Sequence, residues 1–72
     1  HPNFFKNLSN RHPKLTANDV RLCAFIKLNL STKEAAYLLN INVRSLEMAR
    51  YRLRKKLDID KSIRLFNYIN TI

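Results

Sequence analysis

Arg44, Arg50, Arg52, Arg54, Lys55 and Lys56 crowd into residues 42–57, where Glu47 is the sole carboxylate. That stretch holds +5 of the chain's formal net charge of +9, which comes from 14 Lys and Arg against 5 Asp and Glu. Guanidinium and ammonium groups at this density are suited to holding oxyanions, through charge-assisted and, for Arg, forked hydrogen bonds. The residues needed for other chemistries are missing. No two carboxylates are spaced as an acid–base pair, and no nucleophile stands beside a base, since Ser31 and Ser45 read as a helix cap and a surface residue. A lone Cys excludes an intrachain disulfide and a Cys-based zinc site. His1 and His12 are eleven positions apart, with no Cys or carboxylate at ligand spacing. The absence of Gly excludes a P-loop and a dinucleotide fingerprint, both of which need Gly where backbone meets phosphate. The expectation is a binding module that is not an enzyme and takes no cofactor or metal. No apolar run nears the roughly 20 residues of a membrane span, so no membrane contact is expected. The chain starts at His and its one Met is Met48, which reads as a part excised from a longer protein.

The elements that must position these cations follow from periodicity and punctuation. With 72 residues, 46% of them hydrophobic, the cheapest core is all helical. The expected fold is all-α: a small helical bundle containing a helix-turn-helix, with four core helices and a short N-terminal helix. Residues 1–14 form an arm in which Phe4, Phe5 and Leu8 share one face of a short helix capped by Asn3. His12-Pro13 then interrupts it. Residues 15–72 form the helix-turn-helix domain. Thr16 with Asp19, and Ser31 with Glu34, have capping-box spacing, and Leu15 with Val20 can form a hydrophobic staple. The helix from Ala17 to Leu28 is apolar almost all round and therefore central, with Cys23 a small core residue. Asn29 and Asn40 stand where left-handed caps are needed and Gly is absent. A helix over Thr32–Leu39 leads through Ile41 and the N-cap Asn42 to a third helix, about 43–57, which Asp58 ends. Asp60 caps a last helix, Lys61 to about Thr71.

At 100° per residue, with Leu46 as zero, Leu53 and Leu57 fall within about 20° and Ala49 within about 60°, which makes a core stripe. Arg44, Met48 and Lys55 lie opposite, and Tyr51 and Arg52 flank them. Glu47 is at about 100°. Arg50, about 40° from Leu46, is expected to pair with Glu34 or Asp19 and hold helices together. A helix whose outer face is cationic, following a capped turn, points to nucleic acid.

Leu15-Thr16, Leu30-Ser31-Thr32-Lys33-Glu34-Ala35-Ala36, Ile41-Asn42, Ser45-Leu46 and Lys56-Leu57, in this order and spacing, resemble the DNA-binding domain of LuxR-type response regulators. The resemblance covers residues 15–57 well and 58–72 loosely. It implies the C-terminal output domain of a larger bacterial, cytoplasmic sensor-regulator of two-component type, binding double-stranded DNA. Arg44, Glu47, Met48 and Tyr51 would face bases, while Lys33, Arg52, Lys55 and Lys56 would meet phosphates. Glu47 stands where the family commonly has Lys, so that contact does not carry over. A Glu there would accept from cytosine N4 or orient a neighbouring Arg. The resemblance also implies a homodimer through the last helix, with Ile63, Phe66 and Ile69 at the interface; the alternative is that these three only close the core. Two other readings compete. One is a sigma-factor-type domain on promoter DNA with RNA polymerase as partner. The other is a protein–protein adaptor whose basic helix, with Met48 and Tyr51 exposed, meets an acidic partner.

Overall fold

A computed structural model describes residues 3–72, so His1 lies outside the described residues. Over them the chain is helical, with no strand: α1 (Phe4–Arg11), α2 (Ala17–Lys27), α3 (Thr32–Leu39), α4 (Val43–Leu57) and α5 (Leu65–Ile69). Side-chain oxygens start the three central helices. Thr16 Oγ1 accepts from the Asp19 N–H at 3.2 Å, and Asp19 Oδ2 accepts from the Thr16 N–H at 2.9 Å. Ser31 and Glu34 repeat this reciprocal box at 3.1 and 2.8 Å. Asn42 Oδ1 accepts from the Ser45 N–H at 2.7 Å. Each box satisfies two donors that a helix N-terminus would otherwise leave bare.

The same helices end in left-handed residues. Asn29 and Asn40 both have φ of 58°, as expected where no Gly is present, and Asp58 has φ of 53°. After α2 the Asn29 N–H donates to the Ile26 carbonyl at 2.9 Å and the Leu30 N–H to the Phe25 carbonyl at 3.1 Å. After α3 the Asn40 N–H donates to the Tyr37 carbonyl at 3.1 Å and the Ile41 N–H to the Ala36 carbonyl at 3.0 Å. Both are Schellman motifs, with Asn taking the position Gly usually holds.

The buried set is one cluster drawn from every helix: Phe4 and Leu8; Leu22, Cys23 and Ile26; Ala35 and Ala36; Leu46, Leu53 and Leu57; Leu65 and Ile69; and Ile72. Ala35 and Ala36 bring α3 close to α4, and Ala49 packs at the cluster's margin. Cys23 is fully enclosed, and burial, followed by the negative charge of Asp19, pushes its thiol up to about 12. It behaves as a small apolar residue. The helix from residue 4 packs on the rest of the domain through Phe4 and Leu8, while Phe5 is exposed. Lys27 Nζ lies 4.9 Å over the Phe4 ring. His12 Nε2 and the Tyr68 hydroxyl, 2.7 Å apart, tie the α1–α2 linker to α5.

Two expected elements differ. Asn3 precedes α1 without a side-chain cap bond, its backbone at φ −101° and ψ 6° rather than in the extended geometry of a cap. The helix expected over Lys61–Thr71 is only Leu65–Ile69. Asp60 directs its carboxylate to the Ser62 N–H at 2.8 Å, forming a local turn in place of a helix cap. Arg54 then clamps that turn: its Nη2 donates to the carbonyls of Asp60, at 3.2 Å, and Ile63, at 3.0 Å. Those carbonyls would be helix acceptors if the helix began at Lys61. At the far end the Asn70 and Thr71 side chains donate back to the carbonyls of Phe66 and Tyr68 and terminate α5.

Hydrogen bonds from Ser31 hold the Glu34 carboxyl below its ordinary value, and bonds from Ser62 do the same for Asp60. A carboxyl whose folded pKa is depressed contributes stability that is full above its unfolded pKa. That stability is lost as pH falls through the folded pKa. Unfolding free energy should therefore be level from neutral to roughly pH 5 and decline below roughly pH 4. Glu34→Gln should flatten part of that decline, and an unchanged acid limb in urea titrations would count against the reciprocal box. Ser31→Ala should cost about 1 kcal/mol at pH 7. Arg54→Ala should speed amide exchange at Ile63, with the core amides of α2 and α4 far less affected. Equal protection in variant and wild type would contradict the clamp.

Candidate nucleic-acid interface

The turn that launches α4 is short and fixed at both ends, by Asn40 in the left-handed region and by the Asn42 cap. α4 therefore leaves α3 at a set angle and buries Leu46, Leu53 and Leu57. The other face is solvent. Arg44, Glu47, Met48, Tyr51, Arg52 and Lys55 are all exposed along it. Met48 and Tyr51 are 51% and 56% exposed, so these two large apolar groups take no part in the core. Lys55 Nζ lies 4.7 Å over the Tyr51 ring one turn earlier, which couples a cation to the aromatic face. Base-contact and phosphate-contact residues expected on α4 thus share one surface, with the exception of Lys56.

Lys56 turns toward α2. Its Nζ lies 2.6 Å from Asp19 Oδ2, and this is the ion pair present among the described residues. Partial burial raises the Asp19 carboxyl, but the hydrogen bonds from Lys56 and Thr16 outweigh it and hold the group below the usual range. A pair this exposed contributes about 0.2–1 kcal/mol. Its larger effect is to occupy Lys56, which was expected on a phosphate. Arg50 is the converse correction. Neither expected partner reaches it, because Asp19 is taken by Lys56 and Thr16 while Glu34 is held by the Ser31 N–H. Lys33 is exposed but belongs to α3, in a shallow groove with Leu30, Glu34, Tyr37 and Leu38. A cleft of about 580 Å³ borders the outer face of α4 on the other side, where Arg21 and Asn18 of α2 approach Ser45 and Arg52.

The three residues expected at a dimer interface do not form one exposed stripe. Ile63 is exposed in the α4–α5 turn and Phe66 is half-buried. Ile69 is fully enclosed in the core and has no surface to offer a second copy. Ile63 is set apart from the other two because residues 61–64 lie in the Arg54-clamped turn and not in α5. In the sequence Arg54 stands as one more cation of the basic run. Its role has no periodic signature, and only the polar turn residues Asp60 and Ser62 six to eight positions on hint at it.

No group of His, Cys, Asp and Glu among the described residues is arranged to hold a metal ion, and no described helix is long and apolar enough to cross a membrane. No family model matches the chain, and no curated protein or solved structure matches it either.

Proposed function

We propose that this domain binds double-stranded DNA in a sequence-dependent way, as the output domain of a bacterial transcription regulator, with α4 in the major groove. One observation carries the reading. The face of α4 opposite its buried leucines presents Arg44, Arg52 and Lys55 together with Met48 and Tyr51, all exposed and none bound to a carboxylate of the described residues. A major groove about 12 Å wide admits a helix, and its N-terminal half reaches base edges. Arg44 is the residue for a forked contact to guanine, and Glu47 accepts from cytosine N4. Met48 and Tyr51 supply apolar contact to thymine methyls. Arg52 and Lys55 further along, with Lys33 on α3, meet phosphates and fix register. Lys56 contributes less than its charge suggests, because Asp19 holds it.

A second reading has its own observation. Tyr37, 83% exposed, and Leu38, 56% exposed, make an apolar surface on α3. An adaptor using that surface together with α4 would show little affinity for duplex DNA at physiological salt.

Selection from a random duplex library at two salt concentrations separates the readings. An enriched motif with steep salt dependence is the expected result, and recovery of no motif would reject the proposal. On the enriched duplex, Arg44→Ala should cost roughly 1–3 kcal/mol and relax the preference at one position. Lys55→Ala should weaken all sequences alike and lower the log–log salt slope by about 0.9. An Arg44→Ala protein with unchanged affinity and unchanged preference would remove Arg44 from the interface.

A further inference from the structure

Arg50, left without the carboxylate expected for it, lines a cavity of about 400 Å³ between the α2–α3 turn, α4 and the start of α5. Asn29, Ser31, Thr32, Arg64 and Asn67 complete its polar lining, and no carboxylate lines it. Arg50 is half-buried and Arg64 exposed, and neither guanidinium has a hydrogen bond or ion pair within the described residues. We propose that this cavity is a binding site for a phosphoryl oxyanion, held between the guanidinium groups of Arg50 and Arg64.

The physical case is one of unmatched charge. Arg50 and Arg64 line the same open groove, and no carboxylate lines it to balance them. A tetrahedral anion between them would be attracted by both. The planar fork of each Arg matches two oxygens of a phosphoryl group, and the hydroxyls and side-chain amides of Thr32, Asn29 and Asn67 can donate to the rest. Two positive charges with no internal counter-charge suit a group of up to two negative charges. Glu34, three positions after Ser31, is occupied by the Ser31 N–H and is not part of the lining. Arg50 sits about 40° from the buried Leu46 on α4 and Lys55 about 180°, so this site is separate from the outer face of that helix. The inference therefore does not require α4 to enter a groove. The phosphoryl group has two sources of the same chemistry, free phosphate and a phosphodiester of duplex DNA.

The test follows the Arg Nε–Hε signals of the full chain by NMR in two titrations at constant ionic strength. With inorganic phosphate, saturable shifts are expected at Arg50 and Arg64 while Arg44 and Arg52 stay as internal references. Arg64→Gln, a surface change that leaves the core intact, should abolish saturation. Arg50→Lys, which keeps the charge but removes the fork, should weaken it. With a duplex, movement of the Arg50 and Arg64 signals only in this arm, together with a salt slope lowered by about 0.9 in Arg64→Gln, assigns the oxyanion to the DNA backbone. Two results would overturn the proposal: signals of Arg50 and Arg64 that stay still or drift with all other arginines in both arms, or saturation that survives both substitutions. Saturable phosphate binding without any duplex binding would keep this site and end the DNA-binding reading, so the two failures are distinguishable.

Discussion

The arrangement of this domain depends on a backbone constraint met without glycine. α2, α3 and α4 follow one another with only a few residues between them, and each junction needs a residue in the left-handed region to turn the chain sharply. Asn29 and Asn40 take that conformation, at φ of 58° each, and close their helices with paired Schellman hydrogen bonds. Asn is the side chain that tolerates it best after Gly. Ser31 and Asn42 then restart the helix within two residues. Because each end is defined by hydrogen bonds, the direction of each helix is fixed relative to the last. The small Ala35 and Ala36 can then bring α3 against the leucine stripe of α4. With that stripe buried, the cationic face of α4 is left toward solvent.

Local features were legible in the sequence for this reason. Capping boxes and left-handed asparagines depend on residues three or four apart, and the leucine stripe of α4 depends on spacings of three, four and seven. The three central helices appeared where spacing put them, within a residue at their ends. The all-helical class followed from the same features. What sequence could not resolve were pairings between distant residues. Lys56 and Asp19 are 37 positions apart, and on a helical wheel Lys56 lies about 80° from Leu46, on the flank of the core stripe, which suits an open surface and a flanking ion pair equally well. Asp60 is ambiguous in a different way: the carboxylate that caps a helix can also close a turn on the residue two positions on. Arg54, reaching over from α4, accompanies the second outcome, and the last helix is shortened as a result.

These pairings redistribute the charge on α4. Of its six cations, Arg54 holds the α4–α5 turn and Lys56 holds α2, so both serve the fold. Arg44, Arg52 and Lys55 remain on the outer face, where Lys55 lies against Tyr51. Arg50 stands alone on the inner flank beside Arg64. A run that looks uniform in sequence is thus divided three ways by the direction each side chain leaves the helix. The proposed groove contact needs the outer set, and the proposed oxyanion site needs the inner pair.

The central claim is that the N-terminal half of α4 meets the base edges of a duplex. The direct measurement is a set of intermolecular nuclear Overhauser effects from the Met48 methyl group, the chain's one thioether methyl, in the complex with an enriched duplex. Contacts from that methyl to major-groove protons such as thymine methyls are predicted. A complex in which Met48 contacts no DNA proton while residues of another helix do would contradict the account.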